Sequence, residues 1–166
     1  MKTTISNDVL SASIAAVRSK SPLVHNITNY VVMNNSANAL LAIGASPVMA
    51  HWTSEMEEMT AIAGALVINI GTLDDKWIEG MIAAGLAASR RGTPVVLDPV
   101  GAGATSQRTE AALRIIEQCR PTIIRGNASE IMALVDAGIK SKGVDSSASS
   151  DDALESAKRL ATATGA

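Results

Sequence analysis

Short apolar runs alternate along this chain with longer stretches in which apolar residues return every three or four positions. The runs are "PLVHNITN" at 22–29, "SPVMA" at 46–50, "ALVINIG" at 65–71, "PVVLDPV" at 94–100 and "TIIRGN" at 122–127. Each is strand-sized and bounded by turn-forming residues, so each predicts a strand. The stretches between them predict helices at 34–45, 54–64, 74–92, 106–120 and 129–138. Ser54 and Glu57 have the spacing of a capping box. The 74–92 stretch opens on acids, closes on arginines and ends at a glycine, as a helix in its own macrodipole should. Near-continuous apolar strands separated by helices define an α/β fold, with a mainly parallel sheet covered by helices on both faces. A TIM barrel needs eight such units in about 250 residues, and this chain supplies too few. An open, doubly wound sheet fits.

"KSKGVDSSASSDD" at 140–152 is the one polar, serine-rich stretch and reads as a surface loop. Residues 151–166 then predict a last helix. In alternating order a strand should follow it. Residues 1–166 therefore read as a single domain, the front part of a longer fold whose C-terminal part is missing, with a sheet edge or face left exposed.

Composition narrows the class. The chain has 166 residues, 47% hydrophobic and 18% charged, with a formal net charge of −2. Without a basic surplus or a charge block, nucleic acid is not an expected partner. The start "MKTTISNDVL" is too polar for a secretory signal, and no uncharged apolar run is long enough to span a bilayer. The single cysteine, Cys119, excludes an intramolecular disulfide and fits a reducing, cytoplasmic setting. With no Phe, one Tyr and two Trp, the core must be built from Ala, Val, Ile, Leu and Met.

In open parallel sheets ligands bind beyond the carboxyl ends of the strands. Here the strands end on Thr28 and Asn29, on Met49, on Asn69 and Gly71, on Asp98, and on Arg125, Gly126 and Asn127. An acid, an arginine and several amides on one rim suit a metal–phosphate ligand. "LDPVGAGAT" at 97–105 is not a Walker A loop, because no Gly-Lys-Ser/Thr follows. Nor is it a dinucleotide fingerprint, since Ser106 stands where a third glycine belongs. Gly101 and Gly103 still allow backbone N–H groups near an anion at a helix start. Asp98 is either a turn former before Pro99 or a site acid of the kind Mg2+ takes together with substrate phosphates. In "RGNASE" at 125–130, Asn127 and Glu130 fit a capping box, and Arg125 fits a phosphate contact. His25 and His51 have no metal-ligand spacing with each other or with Cys119, which reads as structural.

The stretches at 21–50, "GALVINIGTL" at 64–73, "VVLDPVGAGAT" at 95–105, "IRGNASEI" at 124–131 and "KGVDS" at 142–146 together resemble the hydroxyethylthiazole kinase family of the ribokinase-like superfamily. The resemblance implies a three-layer ribokinase-like fold. It implies ATP-dependent phosphorylation of the primary alcohol of 5-(2-hydroxyethyl)-4-methylthiazole, in thiamine biosynthesis or salvage. Carried over by position, Met49 would contact the thiazole, Asn29 would line the same pocket, and Arg125 would contact the ATP phosphates, beside the turn of Gly101 and Gly103 read above as the phosphate loop. Asp98 and Glu130 would be the Mg2+-side carboxylates. The resemblance also implies a homotrimer with sites between subunits. It assigns no catalytic residue here, because the family's Cys or Asp beside the transferring phosphate falls beyond residue 166. Thr164 and Gly165 end a helix and are not assigned to ATP. Two further readings stand beside this one: another kinase of the superfamily, such as a hydroxymethylpyrimidine kinase, and a non-catalytic product that keeps a partial thiazole pocket.

Overall fold

A computed structural model of the chain describes residues 6–138 and 150–166. Five strands form one all-parallel sheet: β1 (Leu23–Ile27), β2 (Ser46–Val48), β3 (Ala65–Asn69), β4 (Val95–Asp98) and β5 (Ile123–Ile124). Their spatial order is β2-β1-β3-β4-β5. The helices are α1 (Asn7–Lys20), α2 (Met33–Ile43), α3 (Met56–Ile62), α4 (Asp75–Arg91), α5 (Ser106–Cys119), α6 (Ala128–Gly138) and α7 (Ser150–Thr164). The α/β class and parallel sheet expected from the sequence are present. Most of the predicted loop at 140–152 lies outside the described residues.

The strand order explains the layers. The step from β1 to β2 runs in the opposite direction to the later steps, and right-handed crossovers put α2 and the later helices on opposite faces. Helices α3 to α7 pack successively against one another, while α2 packs on β2 and α1. The main core lies between the sheet and the α3–α7 layer. Leu66, Ile68, Val95 and Leu97 point into it and meet Met81, Ala84, Ile115 and Leu134. Fully burying each large aliphatic side chain contributes about 1.5–3 kcal/mol. On the other face Val67 pairs with Val96, and Val96 with Ile123. Both valines are only half-buried, and Ile123 is 53% exposed. The two faces are therefore covered unequally.

Several boundaries differ from the sequence prediction. Strands stop two or three residues early at their carboxyl ends, because the ladder ends before the quoted run does, at the rim. The expected Ser54–Glu57 capping box does not form. Thr53–Glu55 is a 3-10 turn, and α3 starts behind it without a side-chain cap. Helix α1 was not anticipated. Ser6 caps it, its side chain accepting from the Val9 N–H; Leu10, Ile14 and Val17 recur at helical spacing, but none of its residues is fully buried. Helix α4 follows expectation: Asp74 accepts from the Trp77 N–H at 2.9 Å, and Gly92 closes the helix at φ 69°.

Candidate functional site

The parallel register sets the carboxyl ends of β1, β3 and β4 side by side, with Asn69 directly opposite Asp98. Four side chains join across this rim. The Asn29 Nδ2 donates to Asn69 Oδ1 at 2.7 Å. The Asn69 Nδ2 donates to Asp98 Oδ2 at 3.0 Å. Arg125, just past β5, donates to the same Asp98 Oδ2 at 3.0 Å. Asn29 and Asn69 are buried, and the Arg125 side chain is 76% exposed. Gly71 permits the close approach of the two loops, since a Cβ there would lie 2.6 Å from Asn29 Nδ2.

Asp98 is the electrostatic centre of the rim. Burial pushes its carboxyl above the ordinary 3.8; the Arg125 charge and hydrogen bond oppose this, and Glu130 adds a smaller upward push. The exposed position of Arg125 leaves much of its charge screened by water. Among the described residues, Asp98 takes its hydrogen bonds on Oδ2, leaving Oδ1 free.

The glycine turn is held from both sides. Glu130, at the start of α6, is buried and accepts from Gly101 N–H at 2.9 Å and from Asn127 N–H at 2.8 Å. Asn127 Oδ1 in turn accepts from Glu130 N–H at 2.9 Å, so the predicted capping box is formed. Gly101 and Gly103 adopt φ of 79° and 90°, which L side chains rarely reach. The amide of Gly103 donates to Thr109 Oγ1 at 2.9 Å. Both glycine amides are thus engaged inside the chain. A cavity of about 560 Å³ lies beside them, bounded also by Asn127, Glu130 and Met132.

Asn69 stands out in the sequence only as an amide at a strand end on the rim, and Arg108 does not stand out at all. Arg108 in α5 donates to the carbonyls of Ile70, Val100 and Gly71 at 2.9, 3.0 and 3.1 Å, and so ties the loop after β3 to the loop after β4. No spacing rule signals such a contact. Met49 lies half-buried just after β2, and His25 Nε2 contacts the carbonyl of the next residue, Ala50, at 2.9 Å. The polar line on the rim does not reach Met49 through any hydrogen bond among the described residues.

The donor set suits a hard cation. Asp98 and Glu130 supply carboxylate oxygens, and Asp98 Oδ1 is the free one, on a partly dehydrated carboxylate. Three His, Cys, Asp or Glu side chains do not converge anywhere among the described residues. Asp98 and Glu130 are the carboxylates here that could hold a cation such as Mg2+, which takes one or two carboxylates with phosphates and water. Cys119 is buried in the core, its thiol pushed up to about 11 by burial, and it stands away from the rim.

A parallel sheet in the order 2-1-3-4-5, with a polar rim at its switch point and a glycine turn ahead of a helix, defines a doubly wound, ligand-binding α/β protein. Comparison with known proteins narrows the class. Residues 14–166 match the profile of the hydroxyethylthiazole kinase family. The hydroxyethylthiazole kinase of Nitratidesulfovibrio vulgaris strain DP4 is 56% identical over 154 residues, covering 93% of this chain and 58% of that protein. That of Leptospira biflexa serovar Patoc (strain Patoc 1 / Ames) is 60% identical over 149 residues, covering 90% and 56%. A solved structure of a hydroxyethylthiazole kinase protein from Pyrococcus horikoshii OT3 superposes with a TM-score of 0.74 at 54% identity, over 76% of this chain and 49% of that one. The chain belongs to the hydroxyethylthiazole kinase family. It spans just over half the length of these curated relatives.

Proposed function

We propose that this chain carries one wall of an ATP-dependent kinase site for the alcohol of 5-(2-hydroxyethyl)-4-methylthiazole, in thiamine biosynthesis or salvage. The observation that carries the reading is the rim itself: in a chain 56–60% identical to proteins named for this activity, Asp98 presents a free oxygen beside an exposed arginine. Asn29 and Met49 face the thiazole alcohol in this reading. Arg125 meets the ATP phosphates, with Gly101 and Gly103 shaping the turn beside them. Asp98 and Glu130 hold Mg2+, which when bound neutralises charge on the phosphates. In the transfer the alcohol oxygen bonds to the γ-phosphorus, the bond from that phosphorus to the β,γ-bridging oxygen breaks, and ADP leaves with the electron pair. The alcohol proton goes to a base that this reading assigns to none of the chain's residues. A cytoplasmic homotrimer, with no nucleic acid or membrane partner, completes the reading. No helix among the described residues is long and apolar enough to cross a membrane.

A second reading, a partial module that binds ligands on this wall without turning them over, rests on the glycine turn, whose Gly101 and Gly103 amides both donate inside the chain. The experiment is a titration of the purified chain with ATP and Mg2+, then with the thiazole alcohol, followed by an assay for ADP release. Binding with turnover supports the kinase site, and binding without turnover supports the partial module. Binding of neither ligand refutes both.

A further inference from the structure

We infer that Asn69 is a positioning residue that couples the alcohol end of the rim to the cation end. This deepens, and rests on, the proposed kinase site. Hydrogen-bond direction fixes the orientation of the amides in the line. Backbone N–H groups can only donate, so they fix which way each amide points. Asn29 Oδ1 accepts from the N–H groups of Val31 and Val32 at 3.0 and 3.1 Å. Its Nδ2 must therefore face Asn69. Asn69 Oδ1 accepts from the Gly71 N–H at 2.9 Å as well as from Asn29. Its Nδ2 must therefore face Asp98. Neither amide can flip without setting a donor against a backbone donor.

Two consequences follow. The donors run one way, from Asn29 to Asn69 and from Asn69 to Asp98 Oδ2, and Oδ1 is left without a hydrogen bond among the described residues. A ligand that competes for Asn29 also changes the bond that Asn69 gives to Asp98, because Asn69 Oδ1 is shared. Asn69 is buried on β3, between the two strands whose ends carry the other members. It needs no contact with either ligand to act. By linkage, a thiazole alcohol on Asn29 and a cation on Asp98 must alter each other's affinity by the same factor.

The test compares wild type with Asn69→Ser, which leaves an acceptor for Gly71 but cannot span from Asn29 to Asp98. Isothermal titration measures the thiazole alcohol with and without Mg2+, and Mg2+ with and without the alcohol. In wild type each ligand should change the other's affinity by about fivefold. In the variant this factor should fall to one, while each separate affinity stays within about threefold. A wild-type factor of one, or a variant that keeps the wild-type factor, overturns the coupling. A second readout needs no ligand. Asp98→Asn should shift the side-chain amide resonances of Asn29 in the wild-type background and leave them unmoved beside Asn69→Ser. An unmoved Asn29 in both backgrounds overturns the line itself. If wild type binds neither probe while these shifts appear, the kinase reading fails and the positioning by Asn69 stands.

Discussion

Glu130 is the residue at which a structural and a ligand-holding role can be separated by magnitude. Its two oxygens accept from Gly101 and Asn127 backbone amides at 2.9 and 2.8 Å, and the residue is 9% exposed. Glu130→Ala leaves both amides without an acceptor. A fully buried unsatisfied donor costs about 1–3 kcal/mol; Gly101 is half-buried and Asn127 exposed, so the pair together amounts to about 1–3 kcal/mol. For a domain of this size about 1 kcal/mol moves Tm by about 2–4 °C, which predicts a fall of roughly 3–12 °C. Glu130→Gln keeps one acceptor and turns an NH2 toward the other amide. Its loss should be smaller, about half that of alanine. Thermal unfolding followed by circular dichroism measures both. The expected order is alanine well below glutamine, and glutamine below wild type. An alanine variant within about 2 °C of wild type would refute the reasoning, for it would mean that water already satisfies these amides. Glu130 would then be free for a cation and hold nothing else.

Three further outcomes are expected. Asp98→Asn should leave Tm at pH 7 unchanged or raised while Mg2+-dependent nucleotide binding disappears. Burial raises the folded-state pKa of Asp98 above 3.8, so its ionisation costs stability as pH rises through that interval, and the cost persists at neutral pH; a clear fall in Tm at pH 7 counts against this. Arg125→Ala should change stability by less than about 0.5 kcal/mol, as exposed pairs do, yet weaken Mg-ATP binding about 10- to 100-fold if the guanidinium meets phosphate; equal affinities in filter binding would remove Arg125 from the site. Cys119 has its thiol pushed from 9.0 to about 11, so the stability of wild type relative to Cys119→Ala should be steady below pH 9 and decline between pH 9 and 11 by about 2–3 kcal/mol. Urea midpoints at pH 8 and 10.5 check this, and parallel slopes for the two proteins would sink it.

The sheet was legible because β3 and β4 are buried enough to be apolar at nearly every position. Where burial fades, legibility fades with it. Helix α1 carries only a short stripe, Leu10, Ile14 and Val17, with no fully buried residue behind it, and a 3-10 turn takes the place where Ser54 would cap α3. On the rim, Asn29, Asp98 and Arg125 stood out as polar groups ending apolar runs, and Asn127 with Glu130 stood out by local spacing. Asn69 was visible as a strand end, but its role depends on partners 40 and 29 residues away. Arg108 was hidden more deeply. Its partners are backbone carbonyls up to 38 residues away, and carbonyls carry no residue identity that a pattern could catch.

The strand order supplies what the sequence pattern could not. If the strands lay in chain order, β2 would stand between β1 and β3, and Asn29 could not reach Asn69. Placing β2 outside β1 makes β1 and β3 neighbours and closes the line from Asn29 to Asp98. Around that line the loops are fastened to one another. Arg108 grips the carbonyls after β3 and β4, and Glu130 grips the turn at Gly101. Such a wall is ordered before any ligand arrives, so binding need not spend free energy on arranging it. Loosening one fastening away from the ligand should therefore weaken binding through the entropy of the loops. Arg108→Met is the sharpest case, since it removes three bonds without touching Asn29, Asp98 or Arg125. It should lower nucleotide affinity and speed amide exchange at Gly71 and Gly101 together. Faster exchange at one of these loops alone would show that Arg108 does not join them.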